Sequence, residues 1–520
     1  MLERVTMKKL LEPGSTCATI AAVADVRVLV DGENYYPALC EALKRARRSV
    51  CITGWQFDTR ANLAPEKGEK PLEFLQFLNA LCEANEKLQI FITAWNYSVV
   101  YAIEREWFQN VRFALGVHDH IHFRFLDHPE TGGAHHVKTV VVDGTIAFTG
   151  GSDVCDERWD SRKHALGDSR RMNAHGDAYG PFHDVQLQLT GEVVGPLEDI
   201  FWQSWAQAGG NPEDRPEQIQ APLGAAEGVD RERGLSLRSP RVAMSRTRIE
   251  DDGCFQIEEL LIRVVDQAES SIYIENQYFT SKRFVKALLG RMSDPARPKP
   301  QVVIVLPEGG HSKKEESVLG ARQDSMLWPV QEQADTYGHQ LRVLKSCKKD
   351  ESGALVATYI HSKVIIVDDH FLSIGSANLM NRSMRVDHEL NLSFDLSLCD
   401  TADERVELES DIRALKISLL GEHAGASESD PRLQGDMAGL VDRFCADPAS
   451  KLRAQEIQKP KEDPVLSLLC DPSGPLDWDC IQEAVDALFD LDQTPVKGAA
   501  RRLGQRLGVV DIDEEKSTPG

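Results

Sequence analysis

The chain has 520 residues, of which 42% are hydrophobic and 27% charged, a composition typical of soluble globular proteins. Because a single hydrophobic core rarely serves more than about 250–300 residues, this length predicts two or three domains. The formal net charge of −23 argues against broad attraction to nucleic acid or to an anionic membrane, since both need a basic surface. A small basic pocket is still compatible with this net charge.

Targeting and redox signals are sparse. The eleven cysteines are scattered without a CxxC pair, which favours reduced thiols in a cytosolic protein over a disulfide framework. The start, MLERVTMKKLLEPGSTC, has no apolar segment after its basic residues, so we expect no secretory signal peptide. No run of about 18 apolar residues occurs, so we expect a cytoplasmic or peripheral membrane protein, with export by a non-classical route left open.

The chain repeats its own pattern of elements. The matching pairs are a helix followed by a strand (35–57 and 258–279), a second strand (88–95 and 301–307), and a closing segment (PFHDVQLQL, 181–189, and VDHELNLSF, 386–394). Alternation of strands and helices at this period predicts an α/β fold of two repeated units, each a mixed β-sheet flanked by helices.

Changes in composition divide the chain into four predicted segments. The first repeat covers 1–207, and a linker or loop rich in Gly, Pro and charge covers 208–234. The second repeat covers 235–424. An acidic tail, 425–520, contains one short predicted helix at 479–492, and a solvated tail without a specific role is its simpler interpretation.

Two strands carry the same polar pair at their entrance. HHVKTVVVDG (135–144) and YIHSKVIIVDD (359–369) each place a His and a Lys two residues apart before an apolar run and an Asp. Because side chains alternate along a strand, the His and Lys share one face, at the end where a sheet opens to a ligand. One such motif arises easily by chance, whereas two in equivalent positions of a repeat indicate one site. Its main candidates are His136, Lys138, His361 and Lys363.

The residue types suit a substrate with a tetrahedral anion. Lysines supply charge to non-bridging oxygens, and a histidine can act as nucleophile or general acid. Each motif is followed by small residues, GGSD (150–153) and GSAN (375–378), that allow close backbone approach. The candidate substrate contacts there are Gly151, Ser152, Ser376 and Asn378. Lys is a poor metal ligand and the motifs lack clustered partners, so we expect no metal and no cofactor.

Both motifs resemble the paired HKD motifs of the phospholipase D superfamily. The stretches ITGWQFD (52–58), IYIENQYF (272–279) and PFHDVQLQLTG (181–191) are also similar to that family, above all to its phosphatidylcholine-type lipases. The likeness spans about residues 26–424. It implies that the two units pack with pseudo-two-fold symmetry around one shared active site, for which a monomer is sufficient.

The resemblance also implies roles for the motif residues. His136 would attack phosphorus and form a phosphohistidine, while His361 would protonate the departing alcohol and then deprotonate water or another alcohol. Lys138, Lys363 and Asn378 would hold the phosphoryl oxygens as charge redistributes.

Several carboxylates have candidate supporting roles. Each catalytic His needs an acceptor that fixes its tautomer, and Asp184 and Glu389 occupy equivalent repeat positions for this role, with a surface or helix-cap carboxylate as the alternative. Asp143 and Asp368 are expected to stabilise the turn behind the site. Asp153 stands where the second copy has Asn, and we expect it to pair with a cation, because a carboxylate repels phosphate.

The insert SRKHALGDSRRMNAHGD (161–177) is the densest basic stretch near the motifs. Arg170 and Arg171 are candidates for contact with a lipid phosphate, and a solvated loop balanced by nearby acids is the equal alternative.

Three functions stay open at this stage. The favoured one is a phospholipase D that cleaves the terminal phosphodiester of a glycerophospholipid to phosphatidic acid and free head group, with possible transfer to alcohols. A cardiolipin-synthase-like phosphatidyltransferase is the alternative; the GG-x-D form of the first motif resembles the lipases more. A nuclease is less favoured because no basic, aromatic-interleaved groove is evident, so the expected partner is a phospholipid at a membrane surface, met peripherally, and not nucleic acid.

Overall fold

The computed structural model describes residues 9–65, 70–96, 117–130, 133–216, 233–250, 253–308 and 313–459, with side chains in the last range from 323 onward. They lie in one compact unit, which comprises residues 1–96 and 106–460. A second unit, 97–105 and 461–520, lies outside the described residues, as do the predicted helix at 479–492 and most of the predicted linker.

The first half alternates strands and helices, as its sequence pattern predicts. Its elements are β1 (Thr19–Ala22), β2 (Asp25–Val30), α1 (Asp31–Lys44), β3 (Ser49–Gly54), α2 (Phe74–Ala84), β4 (Gln89–Trp95), β5 (Ile121–Leu126), β6 (Thr139–Val142), β7 (Ile146–Gly150), β8 (Phe182–His183), β9 (Val185–Thr190) and α3 (Val194–Gln207).

The second half repeats this order. Its elements are β10 (Leu235–Ser236), β11 (Arg241–Arg248), β12 (Cys254–Phe255), α4 (Gln256–Gln267), β13 (Ser271–Glu275), α5 (Lys282–Met292), β14 (Gln301–Val305), α6 (Lys313–Tyr337), β15 (Leu341–Lys349), β16 (Leu355–Ala357), β17 (Tyr359–Ile360), β18 (Val364–Val367), β19 (Phe371–Gly375), α7 (Asn381–Arg385), β20 (Glu389–Asp395), α8 (Ala402–Ala424), α9 (Met437–Cys445) and β21 (Leu452–Ala454).

The two large sheets share one strand order. The first runs β10-β2-β9-β7-β6-β3-β4-β5, and the second runs β1-β11-β20-β19-β18-β13-β14-β15-β16. In both, neighbours are antiparallel as far as β3 or β13 and parallel over the next two pairs. The α/β fold class with mixed sheets is therefore confirmed. The shared order is compatible with the predicted pseudo-two-fold symmetry.

The apolar runs of the motifs form the central strands β6 and β18, in which every residue is buried. On one face, residues of both sheets form a common hydrophobic core with α3 and α8, including the buried Trp202 and Trp205. On the other face, α1 and α2 cover the first sheet, and α4 and α5 cover the second. Burial on both faces explains why these strands read as continuous apolar sequence.

Strand pairing crosses the predicted segment boundaries at three places. β1, from the first repeat, pairs with β11 of the second sheet, while β10 pairs with β2 of the first. Beyond residue 425, β21 pairs with β15 and α9 packs against the same sheet. These short strands lie toward the sheet edges, where local sequence does not determine the partner. The chain stays in the second sheet to residue 454, so the second repeat extends past the predicted boundary at 425.

Helix α8 illustrates local sequence control of an element boundary. It begins at a capping box formed by Thr401 and Glu404 and ends at Gly425, which adopts a left-handed conformation with φ of 70°. Its 23 residues include many charged side chains. Among the helices that the structure describes, none has both the length and the apolar character needed to cross a bilayer.

The last residue of each motif secures the far end of its strand. Asp143 accepts hydrogen bonds from the backbone N–H groups of Arg47, Arg48 and Ser49 at 2.7–2.9 Å. Asp368 accepts three from residues 269–271, each at 2.7 Å. These contacts join the motif strand to the turn before β3 or β13, in agreement with the structural role predicted for both.

We expect Asp143→Ala to lower the free energy of unfolding by about 2–3 kcal/mol, because three N–H groups lose their acceptor and alanine is strained at the left-handed φ of 51°. Urea denaturation followed by circular dichroism measures this change. Glu83→Ala on the exposed face of α2 is the control and should lie within about 0.5 kcal/mol of the native protein. Equal stability of the two variants would contradict the role of Asp143.

Candidate active site

Short stretches of main-chain pairing between the halves bring the two motifs together. β17, directly before His361, pairs in parallel with β8, and the His361 N–H donates to the carbonyl of His183 at 2.8 Å. At the equivalent place the His136 N–H donates to the carbonyl of His388 at 2.9 Å. Each motif is therefore anchored on the segment of the other half that precedes a candidate orienting carboxylate.

His136 is held through its Nδ1 atom. Glu389 Oε2 and the carbonyl oxygen of Ser376 both lie 3.0 Å from Nδ1. Both are acceptors, so Nδ1 carries the proton, and Nε2 is the nitrogen left for chemistry. Trp55 lies edge-on to the imidazole, with ring centroids 6.5 Å apart.

His361 is held in the same way by the opposite half. Its Nδ1 atom lies 2.6 Å from Asp184 Oδ2, and the rings of Phe182 and Tyr359 lie 5.3 and 6.4 Å from the imidazole. The sequence left open which histidine each carboxylate would meet. The structure brings Asp184 of the first half to His361, and Glu389 of the second half to His136.

The two lysines are buried and differ in their partners. Lys138 Nζ lies 3.3 Å from Asp153 Oδ2, the kind of cation contact predicted for that carboxylate. Lys363 Nζ donates instead to the neutral amide oxygen of Gln277 at 3.1 Å. Each ammonium group also donates to the carbonyl oxygen of the histidine two residues before it. The lysine and histidine of each motif are thereby fixed together.

Burial and neighbouring charge shift the pKa values of several groups in the site. Burial, followed by the two ammonium charges, lowers the pKa of His136 well below its usual value. Burial, followed by Lys363 and Arg158, does the same for the pKa of His361. Burial also lowers the pKa of Lys363 to about 7 and raises the pKa of Glu389 to about 7. Without substrate both imidazoles are therefore neutral near pH 7, the form that a nitrogen nucleophile requires.

The small residues after the motifs support the carboxylates. A side chain at Gly151 would place its Cβ 2.2 Å from Asp184 Oδ1, so glycine leaves room for that carboxylate. At the equivalent position the Ser376 hydroxyl donates to Glu389 Oε2. Both were predicted substrate contacts, and both lie behind a histidine instead.

The remaining small-residue candidates differ from each other. The Ser152 hydroxyl donates to the carbonyl of Asp153 at 3.2 Å, within the loop. Asn378 is buried, and its Oδ1 atom has no hydrogen-bond partner among the described residues. This free atom could accept a hydrogen bond from a ligand, whereas a phosphoryl oxygen would have to be held by the amide nitrogen of Asn378.

The family described as "Cardiolipin synthase, PLD-like domain" matches residues 261–404, which include the second motif. Phospholipase D1 of Saccharomyces cerevisiae is 24% identical over 443 residues, covering 69% of this chain and 26% of that protein. Phospholipase D alpha 1 of Zea mays is 22% identical over 541 residues, covering 77% of this chain and 65% of that protein.

The resemblance to the phospholipase D superfamily is confirmed. The chain spans only about a quarter of the length of the yeast phospholipase D, and slightly less than two thirds of the maize one. Among solved structures, a phosphatidylserine synthase of Haemophilus influenzae has 16% identity and a TM-score of 0.49, over 76% of this chain and 87% of that one.

The arginines proposed as phosphate ligands already have acidic or main-chain partners. Arg171 is buried and donates to Asp160 Oδ1 at 2.7 Å and to two carbonyl oxygens. Arg170 pairs with Asp168 at 2.7 Å and lies over the ring of Trp159. The basic stretch is thus folded into the protein through local ion pairs. Neither arginine is kept as a candidate substrate contact.

Sequence reasoning missed three residues around the phospholipase D-like motifs. Trp55 follows directly after β3, Gln277 is the second residue after β13, and Arg158 lies over the ring of Phe182, with its centre 5.1 Å away. A signal for the first two was available, because ligand sites gather beyond the carboxyl ends of parallel strands. Arg158 follows the loop after the first motif, and no periodic pattern marks it.

Glu389 makes a testable contribution to the pH dependence of stability. Its pKa is raised from 4.5 to about 7 in the folded protein, so the folded state binds more protons between these values. That contribution to stability is complete below pH 4.5 and is lost as pH rises through 7. A glutamine at this position has no such loss. We therefore expect Glu389→Gln to gain stability relative to the native protein between pH 5 and pH 8, by about 1–3 kcal/mol.

Urea denaturation of both proteins at pH 5 and pH 8 measures this difference. Glu83→Gln, exposed on α2, serves as the control and should give the same offset from the native protein at both pH values. An offset for Glu389→Gln that does not change with pH would contradict the raised pKa.

Proposed function

We propose that this protein is a phospholipase D, which hydrolyses the terminal phosphodiester of a glycerophospholipid to phosphatidic acid and a free head group. The observation that supports this most is the crossed pair of histidines, each held at Nδ1 by a buried carboxylate of the other half. Two buried lysines flank them. The curated relatives named phospholipase D agree with this assignment.

In the first step, Nε2 of His136 attacks phosphorus as the bond from phosphorus to the head-group oxygen breaks. His361 supplies the proton that the departing alkoxide needs. The anionic phosphate, placed near Lys138 and Lys363, offsets the positive charges that lower the pKa of His361 in the substrate-free site. The imidazole can then hold that proton when substrate is bound.

In the second step, His361 takes a proton from water, and the water oxygen attacks phosphorus while the bond to His136 breaks. Phosphatidic acid leaves, and both imidazoles return to their starting state. An alcohol in place of water gives a new phosphodiester by the same sequence. This symmetry of steps explains how hydrolysis and transfer to an alcohol share one site.

Charge stabilisation comes from groups that are fixed before substrate binds. Lys138, Lys363 and Asn378 would hold the non-bridging oxygens, and their burial strengthens each contact relative to water. Lys138 pairs with Asp153, whereas Lys363 bonds the neutral Gln277 and has a pKa lowered to about 7, so a bound phosphate would favour its charged form.

A phosphatidyltransferase is the second candidate, favoured by the matching family described as cardiolipin synthase. The two functions differ only in the acceptor of the second step, which is water for the lipase and a lipid alcohol for the transferase. In both, the substrate is a phospholipid met at a membrane surface. The net charge of −23 argues against nucleic acid as the substrate of either enzyme.

The assay that tests this function offers vesicles of phosphatidylcholine, phosphatidylethanolamine and phosphatidylglycerol, with and without ethanol, beside single-stranded DNA. We expect phosphatidic acid without ethanol and phosphatidylethanol with it. His136→Ala and His361→Ala should each lower the rate at least about 1,000-fold, because each removes a group that acts in the transition state.

His370→Gln, an exposed histidine beside the second motif, is the matched control and should keep the native rate. Cleavage of DNA with lipid unchanged would overturn the proposal. Formation of cardiolipin from phosphatidylglycerol without phosphatidic acid would favour the transferase.

Variants of the two carboxylates that hold the histidines distinguish the roles of His136 and His361. With phosphatidyl-p-nitrophenol, whose leaving group needs no proton, Asp184→Asn should release p-nitrophenol in a burst and then accumulate a phospho-adduct on His136, because only the second step needs His361 as base. Glu389→Gln should slow the burst itself, because it acts on the nucleophile. Quenched-flow measurement and mass spectrometry of the adduct test this. An adduct on His361 would reverse the assignment.

A further inference from the structure

A second cluster of titratable side chains lies buried behind the active site. It consists of Asp31 at the start of α1, His164 and His183 from the first half, and Glu422 near the end of α8. All four are buried, and one ligand-type atom from each lies within 4.8 Å of the others. Neither catalytic histidine belongs to it.

The spacing of these atoms matches the edges of a coordination polyhedron. His183 Nδ1 lies 2.8 Å from Glu422 Oε1 and 3.1 Å from Asp31 Oδ1. His164 Nε2 lies 3.1 Å from the same Glu422 oxygen and 3.5 Å from Asp31 Oδ2. Tetrahedral zinc with bonds of about 2.0–2.1 Å separates its ligand atoms by about 3.3 Å. A metal ion could be accommodated with small shifts of the four side chains.

The outer ring nitrogens have the partners that metal-bound histidines use. His164 Nδ1 lies 2.9 Å from Asp160 Oδ2, and His183 Nε2 lies 3.0 Å from Glu275 Oε2. A carboxylate behind each imidazole fixes the tautomer that presents the other nitrogen to a metal. This arrangement occurs at both histidines of the cluster.

One carboxylate oxygen of the cluster has no hydrogen bond among the described residues. Asp31 Oδ2 is buried and has no hydrogen-bond partner among the described residues, although it points toward His164 Nε2. If His164 donates its Nε2 proton to Glu422, Asp31 Oδ2 receives none. A cation between the four side chains would contact this oxygen directly.

The charge of the surroundings also suits a divalent cation. Four buried carboxylates and two guanidinium groups lie here. Arg162 pairs with Glu422, and more distantly with the exposed Glu428 at 3.9 Å, while Arg171 pairs with Asp160. Two negative charges remain, on Asp31 and Glu275. One divalent ion, or protons on two imidazoles, would balance them. Asp31 Oδ2 lies 3.5 Å from His164 Nε2 without a hydrogen bond among the described residues, and a metal ion would give it a direct partner.

We propose that Asp31, His164, His183 and Glu422 bind one structural divalent transition-metal ion, with zinc as the preferred metal. Two imidazole nitrogens and two carboxylate oxygens form a ligand set that zinc accepts. Glu422 comes from the second half and the other three ligands from the first, so the ion ties α8 to the first sheet.

The site also supports the active site from behind. The N–H of Asp184 donates to Asp31 Oδ1 at 3.1 Å, and the N–H of Asp31 donates to the Asp184 carbonyl at 2.8 Å. Asp184 in turn holds His361. The ion therefore positions a carboxylate that acts through the histidine and takes no part in the reaction itself.

Metal content and thermal denaturation of the full chain test the proposal. Protein purified without chelator, then dialysed against zinc and against metal-free buffer, should retain about one zinc per chain by plasma mass spectrometry. Removing it with a chelator should lower the melting temperature by about 3 °C or more, and adding zinc should restore it. Cobalt added to the metal-free protein should give the strong visible absorption of a tetrahedral site with nitrogen and oxygen ligands.

His164→Gln removes one ligand and should bind less than about 0.1 zinc per chain. His423→Gln is the matched control, because His423 is a buried histidine that bonds Glu275 in the same network and is not a proposed ligand. It should keep one zinc. A folded native protein that binds neither zinc nor cobalt would overturn the proposal, and so would equal zinc binding by both variants. The cobalt spectrum decides the case even if His164→Gln does not fold.

Discussion

The exchange of carboxylates between the two halves is the contact on which the site depends. Asp184 holds His361 and Glu389 holds His136, so neither half contains a complete pair. The exchange follows from topology, because β8 pairs with β17 and His388 bridges His135 across the boundary, and each carboxylate lies one residue beyond such a contact. A single α/β unit of this kind would present a histidine without the acceptor that fixes its tautomer. Duplication of the unit is therefore a chemical requirement as well as a structural one.

Burying so many ionisable groups carries a cost that the fold offsets with pairing. A buried charge without a partner is unfavourable by several kcal/mol, whereas pairs with full hydrogen bonding come near to balance. Around the two motif histidines the cost appears as shifted pKa values, with Lys363 and Glu389 both brought to about 7. Groups with pKa values near neutrality change charge at little cost. The burial that weakens the fold therefore leaves Lys363 and Glu389 able to change charge near neutral pH.

The sequence predicted the parts of this protein whose signal is local. The apolar runs became β6 and β18, and the closing aspartates Asp143 and Asp368 hold the turns before β3 and β13. The repeat pattern also predicted two mixed sheets. Partners distant in the chain were beyond such reasoning, because they depend on the packing of the halves. The match of Asp184 with His361, the edge strand β1 and the ligand set around Glu422 all belong to this group.

The contacts of the small residues were not predicted from the sequence for the same reason. Gly151 and Ser376 were interpreted as ligand contacts, since small residues after a strand often allow close approach. Their neighbours in space are instead the two orienting carboxylates, which no spacing in the sequence places beside them. For Arg171 the sequence left a lipid-phosphate contact and a loop balanced by nearby acids equally open, because its acidic partner, Asp160, lies 11 positions earlier, where no periodicity connects them.

Departures from symmetry allow a repeated frame to hold two histidines with different roles. Asp153 pairs with Lys138 on the side of His136, whereas Lys363 beside His361 donates to the neutral amide oxygen of Gln277 and to the carbonyl oxygen of His361. On the proposed mechanism, a substrate phosphate would favour the charged form of Lys363, whose pKa is about 7 in the free protein. Its negative charge would also favour protonation of His361 and leave His136 to act as the nucleophile. The Asp in place of Asn in the first motif therefore gives the two histidines different electrostatic surroundings.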